Sequence, residues 1–217
     1  VDYRSGADAM SYAPKLFRIT QQADAEQFNL LVSDPDLMIH DTLQIQLAEL
    51  MRIRHLGRLP NVDAINEAIF NHLGQTGLHE YGVWAYYPWC RRLVHILDEA
   101  EFVELRTSRN KYKIMPEEQE ALATKKVGIV GLSVGSAVAY TMAMERTCGH
   151  LILADFDTIE LSNLNRIRAS LKDLGLNKAV LMAREIAELD PYLKVNVFTD
   201  GLTADNMEDF FGRSSPI

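Results

Sequence analysis

Cysteine is scarce in this sequence. Only Cys90 and Cys148 occur, so the chain holds neither a disulfide framework nor the paired CxxC motifs of a zinc site. Long apolar runs are missing too: none approaches the roughly 20 residues a membrane-spanning helix needs, and no basic-then-apolar segment opens the sequence. No membrane association is expected, and a cytoplasmic location is the default. Positive charge is also in short supply, with 22 Lys and Arg against 30 Asp and Glu, a formal net charge of -8, and no polybasic run. That balance argues against nucleic acid as the main partner. What is present is a globular composition, 47% hydrophobic and 24% charged over 217 residues, enough to bury one or two compact cores. Because the chain opens at Val1 rather than methionine, it is expected to be a piece of a longer protein.

The acidity is uneven. Residues 1–108 carry 15 acids and 9 bases, whereas 109–217 carry 15 acids and 13 bases, so the second half is the better place for an anion site. The pattern of elements changes at the same point, which predicts a small α+β domain over 1–107 and a second domain over 108–217. In the first, Asp36–Leu56 has apolar residues at helical spacing (Leu43, Leu47, Leu50, Met51) with Gly57 as a stop, and Asn61–Leu73 repeats the format with Asn61 as N-cap and Gly74 after the end. Tyr81–Trp89 is aromatic and β-prone, and Arg92–Leu97 and Phe102–Arg106 resemble two strands around a turn. The aromatic cluster of Trp84, Tyr86, Tyr87 and Trp89 is expected to be core packing.

In the second part, Pro116 opens a short helix. Lys126–Val130 is a compact apolar strand, followed by Gly131-Leu132-Ser133-Val134-Gly135-Ser136 and a helix of small residues through Arg146, which Gly149 is expected to end. His150–Ala154 makes a second strand, Asn177–Leu189 an amphipathic helix, Leu193–Phe198 a third strand, and Thr203–Phe211 a last short helix. This succession opens an α/β, Rossmann-like, doubly wound parallel sheet. The sheet is expected to be incomplete at Ile217, leaving apolar helix faces and a strand edge uncovered.

Three parses of the glycine turn compete. As Gly131-x-Ser133-x-Gly135 it matches the nucleophile elbow of serine hydrolases, but between Ser133 and His150, the only later histidine, there is no Asp, and the one Glu, Glu145, sits only five residues before His150 on the preceding helix end, which does not suit a triad. As a dinucleotide turn, Gly131 would make the tight bend and Asp155 would meet a ribose hydroxyl, with Ser133 and Ser136 standing where glycines are usual. That parse implies an NAD-type oxidoreductase. The third parse uses the stretch from Asp155-Phe156-Asp157 through Ser162-Asn163-Leu164-Asn165-Arg166 to Asn177-Lys178.

On those residues the second part resembles the adenylation domain of the E1-like superfamily, the ubiquitin-activating enzymes and the ThiF and MoeB proteins that activate sulfur carriers. The resemblance covers about 109–205. It implies an adenylyltransferase that uses ATP and Mg2+ to activate a carboxylate, the C-terminus of a ubiquitin-like or sulfur-carrier protein, and that is a homodimer when intact. It further implies that Asp155 holds the ribose, that Asn163 and Arg166 contact phosphates, that Lys178 completes the clamp, and that Gly131, Ser133 and Gly135 form the phosphate turn. Asp157 would shape the turn that aims these groups, and Arg109 matches an arginine that reaches into the partner subunit's nucleotide site. The chemistry needs such residues, because attack of a carboxylate on the α-phosphate brings two anions together and is helped by positioning and positive charge.

The chain departs from the pattern in two places. Ser133 and Val134 make the turn bulkier than a glycine-rich loop, and the sequence stops before the strand that carries the family's magnesium-associated aspartate. A nucleotide-binding scaffold without chemistry is the reading these departures would permit. Cys148, near a helix end, is expected to pack in the core.

Overall fold

The computed structural model describes residues 10–111 and 113–212; the outer limits of the two expected domains, 1–9 and 213–217, lie outside the described residues. The chain forms two compact units. One comprises 14–111, and the other comprises 113–212 together with 10–13.

The first unit runs β1 (Lys15–Phe17), α1 (Gln22–Val32), β2 (Met38–Asp41), α2 (Leu43–Arg54), α3 (Val62–Leu73), β3 (Val83–Tyr87), β4 (Arg92–Ile96) and α4 (Glu99–Thr107), with a 3-10 turn at Ser108–Asn110. Its sheet has the order β1-β3-β4-β2, in which β2 lies parallel to β4 and the other pairs are antiparallel. Leu43, Leu47, Leu50 and Met51 of α2 meet Ile65 and Ile69 of α3 in one core cluster. Trp84 is buried against Phe28 and stacks on His95 with ring centroids 4.0 Å apart. Trp84 and Tyr87 of the aromatic run are thus core, and Tyr86 packs against it half-buried, while Trp89 is only half-buried.

Asn61 caps α3 as expected: its side chain accepts the Ala64 N–H at 2.9 Å, and Gly74 takes φ +61 past the end. Two expectations fail. The helix assigned to Asp36–Leu56 starts only at Leu43, because Met38–Asp41 pairs with β4 as a strand and the Asp41 carboxylate then accepts the first helical N–H, that of Leu43. Phe102–Arg106 is helical, not a strand. Asp98 caps it by accepting the Glu99 N–H, Glu99 and Glu101 stand at the positive end of the helix dipole, and Phe102 and Leu105 face the α2–α3 core at helical spacing.

The second unit runs α5 (Pro116–Ala123), β5 (Lys126–Val130), α6 (Gly135–Glu145), β6 (His150–Ala154), α7 (Lys178–Leu189), β7 (Lys194–Phe198) and α8 (Met207–Phe211). The three strands are parallel in the order β5-β6-β7, and the unit is a Rossmann-like α/β fold. Alternation along β6 divides its two faces. Leu151 and Leu153 join Ala139, Ala143, Met182 and Ile186 of α6 and α7, while Ile152 and Ala154 pack with Phe210 of α8. Cys148 lies in the first of these clusters, 1% exposed, and burial pushes its thiol pKa up.

Gly149 does not end α6. Arg146 does, in a left-handed conformation at φ 53. Gly149 is instead required by a close approach, since a Cβ there would sit 1.8 Å from the Ala123 carbonyl oxygen. The last helix is shorter than expected, because Thr203 and Asn206 bond each other's backbone N–H in a turn that delays its start to Met207. Among the described residues no helix is long and apolar enough to cross a membrane.

Candidate functional site

The turns after β5 and β6 carry Gly131, Ser133, Gly135, Asp155 and Asp157 of the sequence-predicted residues. After Val130 the chain must turn sharply to enter α6, and Gly131 does so at φ +84, a conformation costly for any residue with a Cβ. Gly135 opens α6 where the helix lies against β5: a Cβ there would meet Ile129 Cγ2 at 2.7 Å. The turn therefore delivers the N-terminus of an 11-residue helix to the end of the sheet, a place where the helix dipole and the first N–H groups favour an anion.

Asp155, at the end of β6, is buried at 6% exposure and has both carboxylate oxygens engaged. Oδ2 accepts the Leu132 N–H at 2.5 Å and Oδ1 accepts the Asp157 N–H at 2.8 Å. One carboxylate thus ties the glycine turn to the loop after β6. Each oxygen keeps acceptor capacity beyond the bond it makes.

Lys178 is the first residue of α7, and its side chain is 5% exposed. Its Nζ donates to Asp157 Oδ2 at 2.7 Å and to Ser133 Oγ at 3.4 Å. A buried ammonium is costly unless paired, and here the pairing joins the glycine turn, the loop after β6 and the start of α7. Gly131, Ser133, Gly135, Asp155, Asp157 and Lys178 are thereby brought together.

Asn163 and Arg166 follow on the 3-10 segment Leu161–Asn165 and at its end. Asn163 is buried, and its Oδ1 accepts the Glu160 N–H at 3.1 Å, so it shapes this segment. Arg166 is exposed and donates from Nη1 to Ser162 O and Asn165 Oδ1, both in its own turn. Arg109 sits in the 3-10 turn Ser108–Asn110, which belongs to the first unit.

Sequence reasoning placed Asn177 in the motif and at the start of the helix but gave its side chain no role. Its Oδ1 accepts the N–H groups of Ala179 and Val180, capping α7, while its Nδ2 donates to Asp155 O at 2.8 Å and Thr199 O at 3.3 Å. This side chain stitches the ends of β6 and β7 to the helix that carries Lys178. An Asn directly before an amphipathic helix is an N-cap signal, but its second bond set depends on residues distant in sequence.

The arrangement sets a helix N-terminus and a fixed ammonium beside a loop braced by a buried carboxylate, a combination that favours an anion. Among the described residues no group of three or more His, Cys, Asp or Glu could hold a metal ion.

Comparison with known proteins gives the chain its family and its relatives. The ThiF family model matches residues 107–216. The uncharacterized protein MT1398 of Mycobacterium tuberculosis (strain CDC 1551 / Oshkosh) is 47% identical over 180 residues, which cover 83% of this chain and 23% of that protein. Ubiquitin-like modifier-activating enzyme 5 of Drosophila persimilis is 29% identical over 121 residues, 52% of this chain and 32% of the enzyme. The E. coli tRNA N6-threonylcarbamoyladenosine dehydratase TcdA, solved in complex with AMP, is 27% identical with a TM-score of 0.49, covering 54% of this chain and 47% of that one. The chain thus spans less than half the length of each of these relatives.

Proposed function

Since the chain belongs to the ThiF family, whose model matches just over half of it, we propose that its second unit binds ATP and serves the adenylation of a carboxylate. The acceptor we favour is the C-terminus of a ubiquitin-like or sulfur-carrier protein, in line with the name of the Drosophila relative. The observation that carries this reading is the Lys178 ammonium, buried and fixed between Asp157 and Ser133 at the start of the glycine turn.

In this scheme the triphosphate lies over the N-terminus of α6, where Gly131 gives the backbone its turn and Gly135 lets the helix approach β5. Lys178 and Arg166 supply positive charge. The two differ in kind, the ammonium being a point charge and the guanidinium a planar fork. Asp155 braces the turn and has acceptor capacity left for a ribose hydroxyl, and Asn163 holds the segment that presents Arg166. Arg109 is assigned to the nucleotide site of a second copy in a homodimer. Magnesium, if bound together with the phosphates, would supply further positive charge there.

The protein's own residues act by position and charge rather than by covalent chemistry. The carboxylate oxygen attacks the α-phosphorus, the α,β-bridging oxygen leaves with pyrophosphate, and an acyl adenylate remains. Exchange of labelled pyrophosphate into ATP, dependent on a carboxylate acceptor, is the direct assay, and an absence of exchange with every carrier-type acceptor would overturn the enzymatic claim. ATP binding without exchange would indicate a nucleotide-binding module instead.

A further inference from the structure

The two aspartates that end β6 do different work, and the second has a role that the nucleotide reading alone does not assign. We infer that Asp157 is a positioning residue: it holds the Lys178 ammonium against the glycine turn, with the Ser133 hydroxyl as second anchor, so that a bound triphosphate meets a charge already in place. This inference rests on the proposal that the site takes ATP.

The geometry supporting it is redundant. Asp157 grips Lys178 twice, since its carbonyl oxygen accepts the Lys178 backbone N–H at 3.0 Å and its Oδ2 accepts from Nζ at 2.7 Å. Asp157 is itself located by its N–H bond to Asp155 Oδ1 at 2.8 Å, the same carboxylate that fixes Leu132 in the turn. A continuous chain of bonds therefore runs from the glycine turn through Asp155 and Asp157 to Nζ, and returns to the turn at Ser133 Oγ, 3.4 Å away. A lysine on a flexible four-carbon stem has many rotamers, and ordering it only when ligand arrives would weaken binding. Here that ordering precedes the ligand.

The donor count allows the ligand to join without displacing either anchor. An ammonium has three donors; Asp157 and Ser133 take two, which leaves one for a phosphate oxygen. The two members of the ion pair also differ in exposure. The Lys178 side chain is 5% exposed and that of Asp157 is 51% exposed, so the carboxylate caps the ammonium from the solvent side and can be altered without opening the core. Ser133, which makes this turn bulkier than one built of glycines, is what supplies the second anchor.

The test compares adenosine, which has no phosphate, with ATP on the full chain, by calorimetry for ATP and ligand-observed NMR for adenosine. Asp157→Asn keeps the shape and removes the charge. It is expected to weaken ATP by about tenfold or more, the value of a charged hydrogen bond, while adenosine changes by less than about twofold. Asp157→Glu should recover part of the loss, and Ser133→Ala should weaken ATP by a smaller factor and leave adenosine unchanged. A merely structural role would move both ligands by the same factor, and that outcome overturns the inference. So does ATP binding that is equal or tighter in Asp157→Asn, which would make the carboxylate a competitor of the phosphates. A wild-type chain that does not bind ATP would overturn the nucleotide reading, and this inference with it.

Discussion

Asp155 Oδ2 accepts the backbone N–H of Leu132 at 2.5 Å, a bond between the end of β6 and the turn that follows β5, buried from solvent. The acidic residue expected to face the nucleotide is thus also the brace of the loop that would hold it. Asp155→Ala removes acceptors from two N–H groups, those of Leu132 and Asp157. It should destabilise the chain by about 1–3 kcal/mol and abolish ATP binding along with it. Urea denaturation combined with calorimetry checks both; a variant that lost binding with an unchanged denaturation midpoint would show that the brace is dispensable.

The glycines of the second unit separate into two kinds, and substitution should rank them. A Cβ on Gly131 meets nothing within 4 Å, so Gly131→Ala suffers only the φ +84 backbone, a cost of about 1–2 kcal/mol. A Cβ on Gly149 would lie 1.8 Å from the Ala123 carbonyl oxygen, a clash with backbone that only movement of α5 or the start of β6 relieves. Gly149→Ala should cost about 3 kcal/mol or more. Thermal melts of the two variants give the order, and Gly131→Ala as the less stable protein would contradict it.

Much of this arrangement was legible because its signals are local. Asn61 and Gly74 bracket a helix by capping chemistry that spans a few residues, and Val130 followed by Gly131 marks a strand and its turn in six letters. The elements that were misread depend on partners far along the chain. Met38–Asp41 is a strand only because β4, more than fifty residues later, offers an edge, and its own spacing continues the helical pattern of α2. Phe102–Arg106 has the apolar content of a strand; the core between α2 and α3, against which Phe102 and Leu105 pack, settles it as a helix, although the Asp98 cap was a local signal that was passed over. At the site the residue types were visible, but the ion pair of Asp157 with Lys178 and the fourfold bonding of Asn177 were not, because each requires β6, β7 and α7 to be assembled first.

A buried ion pair closes α6 onto the end of α7. Arg146 Nε donates to Asp190 Oδ2 at 2.9 Å, with Asp190 wholly buried, and Asp190 Oδ1 also accepts the N–H groups of Tyr192 and Leu193. Removing one member leaves a buried charge without its counter-charge, so Arg146→Met should destabilise by about 3–5 kcal/mol. Asp190→Asn should cost less than Asp190→Ala, because the amide oxygen still accepts from the loop. If Arg146→Met proved neutral by urea denaturation, the pair would carry no net stabilisation.

In the first unit, His95 gives a pH dependence whose sign can be worked out. The ring is fully buried, stacked on Trp84, with Nε2 2.7 Å from Tyr81 O and Nδ1 3.0 Å from Asp41 Oδ1. Burial lowers its pKa, the nearby His79 adds to that, and the Tyr81 carbonyl and the half-exposed Asp41 carboxylate pull the other way; burial dominates, so the folded value lies below the ordinary one. Because the unfolded chain then binds the proton first, stability contributed by neutral His95 is complete above the unfolded value of about 6.5 and is lost as pH falls from there toward the folded value. His95→Gln removes this titration, so the difference in unfolding free energy between wild type and variant should narrow between about pH 7 and pH 5. NMR titration of the ring carbons gives the folded value directly. A His95 that titrates above about 7 would show that the Asp41 carboxylate, not burial, sets its charge, and the difference would then widen on acidification.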